Sequence, residues 1–111
     1  MTTSTETLGV ESLPAAFAAL GDDTRWELLQ RLGTAPASAT TLAADRPISR
    51  QAVARHLEVL REAGLVETEI HGREVRYRAI GSRLSALARD LDLLAQGWER
   101  RLRTIKAAAE G

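Results

Sequence analysis

Ser49, Arg50, Gln51, Ala54 and Arg55 place a hydroxyl, a guanidinium, a carboxamide and a second guanidinium within one short run. The chemistry such a run can do is recognition. A guanidinium fork pairs with O6 and N7 of guanine and a carboxamide with N6 and N7 of adenine. A hydroxyl beside the free amides of a helix start can bind phosphate. A solvated helix face with Ser49 as its cap would show the same residue types, so the run gains meaning only from its surroundings. A second group, His71, Arg73 and Arg76, offers further phosphate contacts. Arg73 could enter a narrow minor groove, where A·T tracts concentrate negative potential. Exposed turn and strand charges are the plain alternative for these three.

The same inventory excludes other chemistries. The chain has no Cys, which removes disulfides, thiolate metal sites, iron–sulfur clusters and a cysteine nucleophile. Its two histidines, His56 and His71, stand far apart and no Gly-rich phosphate loop accompanies them. No nucleophile, base and orienting group can be named together, so an enzyme is not expected. His56 follows Ala52 by four residues and precedes Val59 by three. That is the edge of a buried stripe, where a hydrogen-bonded structural histidine fits better than a base contact or a metal ligand. Trp26 and Tyr77 are expected in or beside the core.

The elements that must hold these groups come from 111 residues, enough for one domain with one core. Fifteen basic and fifteen acidic residues cancel, so net charge alone gives no sign of a nucleic-acid partner. The distribution says more. Residues 1–45 hold two basic and six acidic residues, residues 46–78 hold seven and five, and residues 79–111 hold six and four. Fourteen of the fifteen cations are Arg, which suits forked contacts to phosphate and guanine, although GC-rich codon usage would also produce such a bias. No uncharged stretch reaches the length of a membrane span and the start lacks an export pattern. A soluble, cytoplasmic protein without a membrane partner is expected.

Residues 1–11 are polar and without periodicity, and are expected to form a flexible tail. Ser12 can cap a first helix in which Leu13, Phe17 and Leu20 recur before Gly21. A second helix starts at Asp22 or at Thr24, where Thr24 and Glu27 offer a capping box, and stops at Gly33. Residues 34–38 then form a loop. Ser38 caps a short third helix that must end near Arg46, because Pro47 disfavours helical geometry before it. Ser49 caps the fourth, which buries Val53, Leu57 and Leu60 and is closed by Gly64. The period then changes to two over Leu65–Ile70 and Glu74–Ile80, a β-hairpin with its turn at Gly72. Ser82 is expected to cap a last long helix.

In that helix Leu84, Leu91, Trp98 and Ile105 are seven residues apart, with Leu87 and Leu94 three after the first two and Leu102 near the end. Such a rhythm is a coiled-coil seam. A helix of about 25 residues spans about 38 Å, longer than the domain beneath it, so part of the seam must meet another chain. The expected fold is mainly α with a small β-hairpin, in the order four helices, two strands, one helix. Residues 12–82 would form the helix-turn-helix core with its hairpin wing and residues 83–108 a dimerisation helix. Leu13, Phe17 and Leu20 would pack beside that helix in a twofold homodimer.

Residues 15–80 resemble the ArsR/SmtB-type winged helix-turn-helix repressors. The resemblance is carried by Asp23, Thr24 and Arg25, one residue tighter than the family spacing, by Ser49 followed by His56, Leu57, Leu60, Ala63, Gly64, Leu65 and Val66, and by Tyr77. It implies a homodimeric, sequence-specific DNA-binding repressor on an inverted-repeat operator. Many family members sense metals through thiolates near the recognition motif or through His and carboxylate pairs on the last helix. Here the last helix holds Asp90, Asp92 and Glu99 but no His, so neither a metal nor another cofactor is expected. A small organic effector in the dimer cleft stays open, as does a winged-helix module that binds only protein.

Overall fold

The computed structural model describes residues 13–110. The tail expected over residues 1–11, the Ser12 cap and the Leu13 side chain lie outside the described residues. Five helices and three short strands follow one another: α1 (Leu13–Leu20), α2 (Asp23–Leu32), β1 (Ala37–Ser38), α3 (Ala39–Ala44), α4 (Arg50–Glu62), β2 (Val66–His71), β3 (Glu74–Ala79) and α5 (Gly81–Glu110).

Local chemistry sets most of these boundaries. Asp22 caps α2, its Oδ1 accepting from the Arg25 backbone N–H at 3.0 Å. Asp22 rather than Thr24 is therefore the cap, and counting from Asp22 to Thr24 and Arg25 removes the one-residue tightening that Asp23 implied. Ser38 caps α3 by accepting from the Thr41 N–H at 3.1 Å, and Ser49 caps α4 by accepting from Ala52 at 3.0 Å. At the far end of α4, Leu65 N–H reaches Leu60 C=O at 3.0 Å and Gly64 N–H reaches Arg61 C=O at 2.9 Å. These two bonds are a Schellman stop, which needs the positive φ of 80° found at Gly64.

Three boundaries differ from the sequence expectation. Ala37 and Ser38 are not loop but a two-residue strand, pairing antiparallel with Tyr77 and Arg76. A strand this short has no periodicity of its own to read. The sheet is thus three-stranded, in the order β1-β3-β2. The hairpin turn is Gly72–Arg73 alone, since His71 pairs with Glu74. Its Gly72 has φ 63° while Arg73 has no positive φ, the pattern of a II′ turn. Finally, α5 opens at Gly81 with Leu84 N–H bonded to Ile80 C=O at 3.2 Å. Ser82 lies inside the first turn and is not the cap.

One core joins the elements. Leu28 and Leu32 of α2, Leu42 of α3, Val53, Leu57 and Leu60 of α4, and Leu65 and Val66 are buried together with Leu87. From α1 it is Ala16 and Ala19 that enter this core, while Phe17 stays 43% exposed. The small residues let α1 approach closely, and Arg25 fastens its end: Nε donates to Ala19 C=O at 2.6 Å and Nη2 to Ala18 C=O at 3.3 Å. Trp26 is exposed on α2, against the expectation of a core or core-edge aromatic, because Leu28, Leu29 and Leu32 take the buried face. Tyr77 packs against the core as expected.

Helix α5 has 30 residues and at 1.5 Å per residue runs about 45 Å. Its first two turns join the protomer, where Leu87 is buried and Leu84 partly buried against the core. Beyond them Leu91, Leu93, Leu94, Trp98, Leu102 and Ile105 are all exposed. No described helix is long and apolar enough to cross a membrane.

Candidate nucleic-acid interface

The short helix α3, the turn at Pro47 and the longer helix α4 form a helix-turn-helix, and the β2–β3 hairpin stands behind it as a wing. The capped start of α4 faces outward. Arg50, Gln51 and Arg55 are exposed there, and Ala54 is half-buried between them. Core packing explains this orientation: Val53, Leu57 and Leu60 turn inward, so residues one turn on from Arg50 and Gln51 must share their outer face.

A concavity of about 350 Å³ lies between the start of α4 and the wing. Thr40, Arg50 and Ala54 line one side, and Arg73, Glu74, Val75 and Tyr77 the other. The fold thus brings Arg50, Ala54 and Arg73 to one surface. Ser49, Gln51 and Arg55 lie along α4 outside this hollow. Arg50 Nε donates to Thr40 Oγ1 at 3.1 Å, a partner that sequence reasoning missed.

His71 and Arg76 fall elsewhere. His71 Nε2 lies 3.2 Å from a Glu69 carboxylate oxygen, and Arg76 Nε donates to Glu74 Oε1 at 2.9 Å. Arg78 is engaged by Glu69 at 2.9 Å and Glu67 at 3.5 Å. The signal for this was present in the sequence: Glu67 and Glu69 alternate along one strand as Arg76 and Arg78 do along the other, so pairing the strands sets them opposite.

His56 is structural in its contacts. Its Nδ1 lies 3.2 Å from Arg25 Nη1 and 4.0 Å from Asp22 Oδ1. A guanidinium only donates, so a neutral His56 ring would meet it through an unprotonated Nδ1. The Asp22 carboxyl is held below its ordinary value, chiefly by the Arg25 backbone N–H and then by the charges of His56 and Arg25. On the outer face of α4, Arg61 grips both carboxylate oxygens of Glu58 and lowers the pKa of that acid.

Helix-turn-helix, wing and outward arginines define the winged helix-turn-helix class of DNA-binding fold. A family model described as a helix-turn-helix domain matches residues 20–69. The HTH-type transcriptional regulator Rv2034 of Mycobacterium tuberculosis is 42% identical over 77 residues, covering 69% of this chain and 72% of that protein. Among solved structures, an ArsR-like transcriptional regulator from Rhodococcus sp. RHA1 is 50% identical with a TM-score of 0.83, over 89% of this chain and 93% of that one. The cadmium metal-sensor CMTR from Mycobacterium tuberculosis is 38% identical with a TM-score of 0.55, over 76% and 84% of the two chains.

The chain belongs to the ArsR/SmtB family of winged helix-turn-helix transcriptional regulators. A thiolate metal site of the kind soft ions favour does not fit it, since it has no Cys. Among the described residues no three His, Asp or Glu side chains gather as metal ligands.

Proposed function

We propose that this protein is a homodimeric repressor that binds an inverted-repeat operator, with the α4 helices of two copies in successive major grooves. The observation that carries this reading is the concavity shared by Arg50 of α4 and Arg73 of the wing. Two guanidinium groups from separate elements converge on one outward surface, beside the exposed Gln51 and Arg55. Arg50 and Gln51 would read base edges, while Ser49 and the amides of the α4 start would take a phosphate. Ala54 lines the same hollow and suits a thymine methyl. Of the remaining wing candidates, His71 and Arg76 would have to exchange a glutamate partner for phosphate.

The homodimer rests on α5. Leu91, Leu94, Trp98, Leu102 and Ile105 form an exposed apolar stripe, and continuous apolar surface of this kind marks an interface. Phe17 of α1 would extend it, with Leu13 and Leu20 beside it. Leu84 and Leu87 of the same rhythm would anchor the helix to its own protomer.

Fluorescence anisotropy with duplex DNA, paired with light scattering, tests the reading. A dimer whose duplex affinity falls steeply and linearly in log–log form with salt is expected, as counterions are released from several phosphates. A protein with no affinity for any duplex at low salt would overturn it.

A further inference from the structure

The two faces of the wing have opposite chemistry. On one face Glu67, Glu69 and His71 stand across from Arg78, Arg76 and Glu74, and the ion pairs described above run through the set. Glu67, Glu69 and Glu74 balance Arg73, Arg76 and Arg78, so the wing carries no net charge with its histidine neutral. A segment so balanced has no net attraction for a phosphate backbone. Trading a glutamate for a phosphate merely replaces one exposed partner by another, and exposed pairs are worth little.

The other face alternates Val66, Thr68 and Ile70 with Val75, Tyr77 and Ala79. At the domain end Val66 is buried and Tyr77 packs on the core. Toward the turn, Ile70 and Val75 are direct cross-strand partners, yet they are 70% and 43% exposed. The described residues leave most of Ile70 and a good part of Val75 uncovered. Val75 lines the same concavity as Arg50 and Arg73, so the apolar tip is continuous with the surface assigned to DNA. Ile70 extends it onto β2, the outer strand of the sheet.

We propose that the wing engages the duplex through this apolar pair, Ile70 and Val75 packing against the deoxyribose walls of the minor groove beside each major-groove site. The inference rests on the operator reading above. Sugar C–H surface lines that groove, and proteins that bind it use apolar side chains together with arginine. Arg73 at the turn supplies the cation: among the described residues it makes no ion pair, unlike Arg76 and Arg78. The wing then contributes burial of apolar surface, and α4 with Arg73 contributes charge.

Hydroxyl-radical footprinting of the full chain on an operator selected from random duplexes is the direct test. The wild type is expected to protect sugars in the minor groove flanking each half-site. The double variant Ile70→Thr, Val75→Thr keeps β-branching and strand preference. It should lose the flanking protection and bind about tenfold more weakly, with the slope against salt unchanged. Arg73→Ala, by contrast, should lower that slope by about one. A wild-type complex with unprotected flanks would overturn the proposal even if the double variant failed to fold. So would a folded double variant that binds and protects like the wild type, which would assign the pair to a partner other than DNA. Absence of any wild-type complex would instead remove the operator reading itself.

Discussion

Arg50 Nε donates a 3.1 Å hydrogen bond to Thr40 Oγ1, tying the first residue of α4 to the second residue of α3. The bond uses the nitrogen nearest the chain and leaves Nη1 and Nη2 for a base. A guanidinium held this way meets both acceptors of a guanine with less ordering left to do. In the proposed complex the two helices of the helix-turn-helix would therefore cooperate in one base contact.

Arg50→Ala should cost about 1–3 kcal/mol at one base pair in each half-site and relax preference there. Thr40→Val should weaken the same preference by a smaller amount, and Thr40→Ser should retain it. Competition among single-base operator variants measures this. Equal weakening on every sequence would contradict base reading by Arg50.

Arg25 holds three helices together through Ala18 and Ala19 of α1, its own position in α2 and His56 of α4. Arg25→Ala should destabilise the domain by about 2 kcal/mol, because the part-buried Ala19 carbonyl loses a charged donor. Arg25→Lys should recover little of this, since one ammonium cannot span the same three acceptors. Urea unfolding reads both, and midpoints equal to the wild type would show the fork to be dispensable.

Asp22 gives the fold an acid limit. Its folded pKa lies below the ordinary 3.8 through the Arg25 N–H bond and the neighbouring charges. A depressed carboxyl stabilises fully above its unfolded value, and that contribution is lost as pH falls through the folded one. Asp22→Asn should lower stability at neutral pH and flatten its decline in acid below the ordinary carboxylate range. Thermal melts across that range would speak against this if the variant and wild type fell in parallel.

These contacts also show what was legible beforehand. Helices α3 and α4 could be bounded from sequence because Ser38, Ser49 and Gly64 act on backbone within a few residues of themselves. The hairpin was legible for the same reason, through Gly72. The strand at Ala37–Ser38 was not, since it exists only by pairing with Tyr77 and Arg76 far along the chain. Periodicity gave α1 an apolar character but not the inward face, which Ala16 and Ala19 take in place of Phe17. At the site, motif order was enough to bring Arg50 and Arg73 to notice. The Thr40 bond is tertiary and left no local trace. The neutralisation of Arg76 by Glu74 needed the strand register, although the alternating Glu and Arg residues carried it in outline.

The seam on α5 makes a separate prediction. Trp98 is 55% exposed in the protomer, with Arg101 5.9 Å from its ring centre. Trp98→Glu places a carboxylate in the middle of the stripe and should yield folded monomers with poor operator affinity. Light scattering decides, and a stable dimer of the variant would reject Trp98 as part of the seam.

The spacing of half-sites in the selected operator tests the central claim most directly. A twofold dimer with paired α4 helices should enrich an inverted repeat whose half-site centres lie about 10–10.5 base pairs apart, and five base pairs inserted between them should abolish binding. Enrichment of a single unrepeated site, or tolerance of that insertion, would contradict the account.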